Sequence, residues 1–148
     1  MNYKQKIWIQ LESEQDNEVV TQQMLGEWYL KDKAFYIKYT EHTDAGEVRH
    51  LLRYESNELK VSRKGAVDAE QVYRIHERRE GFYSNGMINL ETAAYTYQLI
   101  IKDVMEHIVL GLPKRLPFSL VWDYELYVGE QSTGRFKLRL LLKEATAI

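Results

Sequence analysis

The sequence has no cysteine, only two prolines and no long apolar run, and each shortage excludes a class of protein. Without cysteine the chain has no disulfide framework and no thiolate metal site. No apolar stretch approaches roughly 18 residues, the length of a membrane-spanning helix. The opening MNYKQKIWIQLE alternates polar and apolar residues and lacks the apolar centre of a signal peptide. We therefore expect a soluble protein that stays in the cytoplasm.

The charge balance is nearly neutral, with a formal net charge of −2. Such a net charge gives the whole protein no electrostatic attraction to nucleic acid or to an anionic membrane. The 148 residues are 45% hydrophobic and 28% charged, which indicates one globular domain over residues 1–148. The eleven tyrosines and three tryptophans are abundant. They indicate either ordinary strand formers or an aromatic-lined cavity.

Apolar and polar residues alternate with a period of two along most of the chain, which is typical of half-buried strands. The clearest apolar stripes lie in Ile7–Leu11, Phe35–Tyr39, Phe118–Leu126 and Phe136–Leu142. Turn residues separate the strands at Lys31–Lys33, Asp44–Gly46, Glu55–Asn57, Lys64–Gly65, Asn85–Gly86 and Gly129–Gly134. Many short strands joined by tight turns predict an all-β meander, closed as a barrel or folded as a sandwich.

Two segments carry more specific predictions. Asn85-Gly86 predicts a two-residue type I′ hairpin turn, because both central residues of that turn need a positive φ. Glu12–Leu25 is the one stretch with a weak helical pattern. We predict a strand there because Val19 to Thr21 are three successive β-branched residues.

Four segments follow one another in the order and spacing of a known family. They are GEWYLKDKAFYIKYTE (Gly26–Glu41), LKVSRKGAVDAEQVY (Leu59–Tyr73), GFYSNGMINLET (Gly81–Thr92) and WDYELYVGEQSTGRFKLRLLL (Trp122–Leu142). From about Lys4 to Lys143 the chain resembles the YwiB-like family, a bacterial group of uncharacterised proteins similar to the calycins. The resemblance implies a single antiparallel calycin-like, lipocalin-type β-barrel of roughly eight to ten strands. The family has no established activity, so the resemblance predicts a fold but neither an activity nor a cofactor.

Individual positions match the family pattern at the ends of strands. The matches are Tyr39 and Glu41, Arg63 and Gly65, Phe82, Tyr83 and Gly86, and Tyr124 and Leu126. The chain departs from the pattern at His107–Leu120, which is longer and more apolar than expected between two late strands.

Arg63 is the most unusual residue, because it lies in phase with Leu59 and Val61 on the apolar side of a strand. A charge there is costly unless it is paired. Glu41 also ends an inward-facing row, so one reading is a salt bridge between Arg63 and Glu41 that fixes the register of the barrel.

The other reading is that Arg63 binds the anionic head group of a ligand inside the barrel, where a carboxylate ligand would compete with Glu41. Barrels of about eight strands can hold one small ligand, and such pockets combine apolar walls with a few fixed polar groups. The candidate ligand-binding residues are Tyr39, Glu41, Arg63, Tyr73, Tyr83, Trp122 and Tyr124. We therefore predict a non-catalytic protein that binds a small, partly apolar ligand inside the barrel. The alternative is a structural or protein-interaction module with a filled core.

Enzyme and metal sites have little support in the sequence. There is no P-loop, dinucleotide glycine motif, Gly-x-Ser-x-Gly motif or His-Glu-x-x-His motif. The four histidines lack metal-ligand spacing, and Asp123 and Glu125 lie opposite the apolar stripe of their strand. Arg74–Tyr83 is basic and aromatic, but Glu77 and Glu80 interrupt it, so we do not expect nucleic acid as a partner. We predict no catalytic residue, metal or cofactor.

Ile108–Leu120 also suggests a homodimer. It is the most apolar loop-like stretch, and an exposed apolar patch often forms an interface. Pro113 and Pro117 restrain it from extending a sheet.

Overall fold

The alternation of apolar and polar residues produces ten β-strands, because each strand buries one face and exposes the other. The computed structural model describes residues 4–145. The strands are β1 (Gln5–Gln15), β2 (Glu18–Lys31), β3 (Ala34–Thr43), β4 (Gly46–Glu55), β5 (Glu58–Gly65), β6 (Asp68–Arg74), β7 (Arg78–Ser84), β8 (Asn89–Lys102), β9 (Phe118–Val128) and β10 (Gln131–Glu144).

Every strand pairs antiparallel with the next, and β1 also pairs with β10, so the sheet closes on itself. The predicted closed antiparallel barrel is confirmed. Along this described part of the chain, no helix is long and apolar enough to cross a membrane.

One end of the barrel is filled by aromatic side chains. The Trp28 and Phe118 rings meet edge to face with centroids 5.1 Å apart, and Phe35 contacts Phe118 at 5.6 Å. Val109 and Leu112, in the long connection between β8 and β9, pack against the same core. We call this the closed end. The apolar excess of His107–Leu120 is thus partly explained, because the segment covers the closed end.

The prediction of strand rather than helix over Glu12–Leu25 is confirmed, but the segment contains the ends of two strands instead of one strand. β1 ends at Gln15 and β2 begins at Glu18, with Asp16 and Asn17 at φ values of 53° and 65° between them. Asn and Asp tolerate this left-handed conformation better than most residues. The segment is therefore a hairpin, and the Asp-Asn pair was its unrecognised turn signal.

The turn at Asn85-Gly86 joins β7 and β8 as predicted, but it is not a two-residue type I′ turn. The loop runs from residue 85 to residue 88, and Gly86 has a φ of 87°. The Asn85 side chain accepts hydrogen bonds from the backbone N–H groups of Met87 (3.0 Å) and Ile88 (2.9 Å). Asn85 thus shapes the loop through its side chain rather than through a positive φ.

The barrel wall opens between β2 and β3. These strands pair only from Gly26 opposite Tyr39 to Lys31 opposite Ala34. β2 begins eight residues before Gly26, and β3 continues past Tyr39 to Thr43. The two strands therefore separate beyond the pair formed by Gly26 and Tyr39. A Cβ at Gly26 would come within 2.7 Å of Ile9 Cδ1, so glycine permits the close approach at this point.

Candidate functional site

A cavity of about 1550 Å³ occupies the end of the barrel opposite the closed end. Its lining includes inward residues such as Tyr73 and Leu140, and outward residues such as Trp8 and Leu25. One continuous space therefore reaches from the barrel interior to the surface beside the gap between β2 and β3. We call this end, with the gap, the open end.

The wall of the cavity is mainly apolar in its interior. Its inward aliphatic and thioether side chains are Leu11, Met24, Leu52, Val61, Leu138 and Leu140. They come from β1, β2, β4, β5 and β10, so the apolar wall extends around much of the barrel. Such a surface suits the apolar part of a small molecule.

Arg63 lies on β5 opposite His50 of β4 and Ala69 of β6, and it lines the cavity. Its predicted inward orientation agrees with this register. Within residues 4–145, Arg63 forms no ion pair within 4.0 Å and donates no hydrogen bond. The expected salt bridge between Arg63 and Glu41 is not formed.

Glu41 has a different partner, the histidine of the neighbouring strand. The His50 Nε2–H group donates to Glu41 Oε1 at 3.1 Å, with the His50 side chain 10% exposed and that of Glu41 43% exposed. Burial lowers the pKa of His50, and the bond to Glu41 offsets only part of this effect. Arg63 lowers the same pKa further by charge repulsion.

Tyr39 completes this group at the open end. Its ring stacks on the His50 ring, with centroids 4.4 Å apart and planes inclined by 10°. Burial raises the pKa of Tyr39 to about 12, although the positive charge of Arg63 acts in the opposite direction. The phenol therefore remains protonated at neutral pH and is able to donate a hydrogen bond.

Tyr73, Trp122 and Tyr124 lie deeper in the barrel. The Tyr73 and Tyr124 ring centroids are 4.6 Å apart, and Trp122 lies 6.2 Å from Tyr73. Burial raises the pKa of both tyrosines, while Arg63 opposes the rise. Arg63 therefore acts electrostatically on the deep tyrosines as well as on Tyr39 and His50.

The Trp122 indole carries a buried hydrogen-bond donor beside the cavity. Trp122 is 3% exposed, and its Nε1–H group has no hydrogen-bond partner in the described part of the chain. The group approaches the Tyr73 hydroxyl closely enough to lower the pKa of that tyrosine, but it does not reach hydrogen-bond geometry. A buried donor without an acceptor is costly, by about 1–3 kcal/mol.

Comparison with known proteins places this barrel in a family. A family model described as a domain of unknown function, DUF1934, matches residues 6–140. The chain belongs to the DUF1934 family. The predicted resemblance to YwiB-like proteins is confirmed, because the domain is similar to the uncharacterized beta-barrel protein YwiB of Bacillus subtilis (strain 168). The two are 24% identical over 123 residues, which are 82% of this chain and 78% of YwiB.

A solved structure supports the fold independently. The DUF1934 domain is similar to the crystal structure of the ywiB protein from Bacillus subtilis, with a TM-score of 0.77 and 19% sequence identity. The match covers 98% of this chain and 94% of that one. At this identity the likeness shows a shared fold.

The DUF1934 barrel brings together six of the seven candidate residues predicted from the sequence. Those that line the cavity are Tyr39, Glu41, Arg63, Tyr73, Trp122 and Tyr124. Tyr83 does not line it; it lies on β7, opposite Ala69 of β6 and Leu90 of β8. Tyr83 matches the family pattern at the end of a strand that contains aromatic residues. That pattern does not determine whether this part of the strand borders the cavity.

His50 is the site residue that sequence reasoning missed. In the sequence it is one of four histidines that lack metal-ligand spacing. Val48, His50 and Leu52 alternate on β4, and Val48 and Leu52 are each 2% exposed. That period of two was the signal that His50 faces inward.

The other polar groups considered from the sequence lie outside this cavity. Asp123 accepts two hydrogen bonds from Arg135 on the outer face, at 2.8 and 3.0 Å, and Glu125 accepts from Tyr97 and Ser132. Across residues 4–145, no group of three or more histidine or acidic residues is arranged to hold a metal ion.

Proposed function

We propose that this protein binds a small, partly apolar ligand in the cavity at the open end of its barrel, without catalysing a reaction. The observation that carries the proposal is the cavity itself, which is continuous with the surface and bounded by an apolar interior wall and a few polar groups. Each of these groups lies on a strand of a closed sheet, so the site is held in place before a ligand arrives.

The alternative, an interaction module with a filled barrel core, is supported only by the closed end. There Trp28, Phe35 and Phe118 pack against one another and are at most 5% exposed. In the half of the barrel around Arg63, the rings of Tyr73, Trp122 and Tyr124 border the cavity and leave it open to the surface. We further propose that the protein acts in the cytoplasm, which the absence of cysteine supports.

Native mass spectrometry of the freshly purified protein tests this proposal. We expect a reproducible mass above that of the chain, lost when the same sample is denatured. Val61→Trp places an indole in the cavity and should reduce the occupied fraction. The matched control Val20→Trp alters a 56% exposed position on β2 and should leave it unchanged. A wild-type spectrum that contains only the bare chain would count against ligand binding.

A further inference from the structure

The cavity differs in charge from the protein as a whole. Its charged lining residues are Lys6, Lys38, Arg49, Arg63 and Lys64 against Glu27 and Glu41. This is a formal excess of three positive charges, whereas the whole chain carries −2. A concave site of one charge sign attracts ligands of the opposite sign. The site thus favours anions over cations.

Arg63 is the positive charge that faces the interior. Lys6, Arg49 and Lys64 are exposed, and they alternate with the inward residues of their strands. Water and salt weaken the effect of such exposed charges. Arg63 has no ion-pair partner within residues 4–145, so its planar guanidinium is available to a ligand.

Trp122 supplies an independent sign of a missing acceptor. Its buried Nε1–H group lacks a partner and lies among side chains that line the same cavity. The tyrosine hydroxyls nearby are protonated, so each can donate one hydrogen bond as well as accept. The acceptor at the rim, Glu41, already receives the His50 N–H group. Within residues 4–145, the Trp122 N–H group and the Arg63 guanidinium are thus donors without a protein acceptor.

We infer that the ligand of the proposed function is an amphipathic carboxylate, whose head group pairs with Arg63 and whose apolar part contacts the wall formed by residues such as Leu52 and Leu140. A guanidinium matches a carboxylate with two parallel hydrogen bonds. A monoanion suits the site better than a phosphate dianion, because Arg63 is the one inward cation in the described lining and Glu41 ends the adjacent inward row. This inference depends on the proposed function but goes further, since it specifies the head group.

The test compares two probes that differ only in the head group, decanoic acid and 1-decanol. Their affinities are measured by titration calorimetry at about pH 8, where the acid is ionised. For the wild-type protein we expect decanoate to bind at least about tenfold more tightly than decanol, as for a hydrogen bond to a charged group. Arg63→Met should bind both probes equally, and Arg63→Lys should retain part of the preference.

The matched control is Arg115→Met, which removes the same charge from an exposed loop position near the closed end. It should keep the wild-type preference. Equal affinity of the wild-type protein for both probes would overturn the carboxylate inference and leave ligand binding intact. If neither probe binds while the native spectrum shows a bound mass, the inference fails alone. If neither binds and the spectrum is bare, the proposed function fails as well. A melting temperature for Arg63→Met at or above the wild-type value would confirm that this variant folds.

Discussion

Arg63 and Glu41 face the same interior but do not pair, and the reason is their position on different strands. Glu41 lies on β3 opposite Val48, one inward position along β4 from His50, whereas Arg63 lies on β5 opposite His50. His50 thus stands between the two charges in the sheet and binds Glu41. The alternation of each strand shows that all three residues face inward. It does not show which neighbour each one contacts, because that depends on the register between strands.

His50 should make the stability of the protein depend on pH in the mildly acidic range. Its pKa is lowered in the folded state, mainly by burial, whereas the unfolded chain has the ordinary value of about 6.5. Below that value the unfolded chain takes up a proton that the folded protein resists, so the free energy of unfolding falls as the pH falls. His50→Gln should therefore reduce the slope of unfolding free energy against pH between about pH 7 and about pH 5.

Urea denaturation at several pH values measures this slope. His42→Gln is the matched control, since the His42 side chain is 76% exposed and lies on the neighbouring strand. That variant should keep the wild-type slope. An unchanged slope in His50→Gln would show that another group controls the acid response.

At the scale of elements, the end of β5 is fixed by a close approach between two strands. Gly65 has a φ of 124° and lies opposite Val48, and Ala66 donates a backbone hydrogen bond of 2.9 Å to the Glu47 carbonyl oxygen. A Cβ at Gly65 would collide with that same oxygen. The sequence placed the turn at Lys64–Gly65, but the strand continues through Gly65 and the turn follows at residues 66–67. Gly65 thus permits the close contact between β4 and β5 that keeps Arg63 in register.

Gly65→Ala should destabilise the protein by about 3 kcal/mol, because it combines backbone strain with a collision against main-chain atoms. Gly86→Ala is the matched control. Gly86 also has a positive φ, 87°, but a Cβ there meets nothing within 4 Å. It should cost only about 1 kcal/mol. If chemical denaturation showed equal losses of unfolding free energy for the two variants, the strand contact at Gly65 would be able to relax without an energetic cost.

At the scale of the whole molecule, the two ends of the barrel have different roles. The aromatic residues and the long β8–β9 connection fill one end, and the separation of β2 from β3 opens the other. The β8–β9 connection also retains exposed apolar side chains, with Ile108 at 61% and Leu110 at 91% exposure. The homodimer predicted through Ile108–Leu120 would bury these two residues. It would leave the cavity at the opposite end accessible.

The homodimer stays a prediction that a mass measurement decides. If the exposed part of this connection joins two copies, light scattering should give twice the chain mass of 17.6 kDa. Leu110→Asp should then give the mass of one chain, because it places a charge in an apolar interface. Met87→Asp, at a 93% exposed position between β7 and β8, should remain dimeric. A wild-type mass of one chain would contradict the prediction.

The sequence by itself determined the all-β class, most of the strand ends and the inward position of Arg63. These features depend on neighbours within one strand, where the period of two assigns each side chain to a face. The ordered segments also indicated the family, which the match over residues 6–140 confirms. The Asp16–Asn17 turn could have been found in the same way, since its signal is also local.

Only the tertiary structure decided that Glu41 binds His50, that Arg63 has no ion-pair partner among residues 4–145 and that Tyr83 lies outside the cavity. Each of these facts depends on the register between neighbouring strands, which hydrophobic patterning does not encode fully. The opening between β2 and β3 is likewise a property of where pairing stops at Gly26 and Tyr39. Trp28, Phe35 and Phe118 fill the closed end, whereas aliphatic and aromatic side chains from several strands line the cavity at the other, a difference that no single strand reveals.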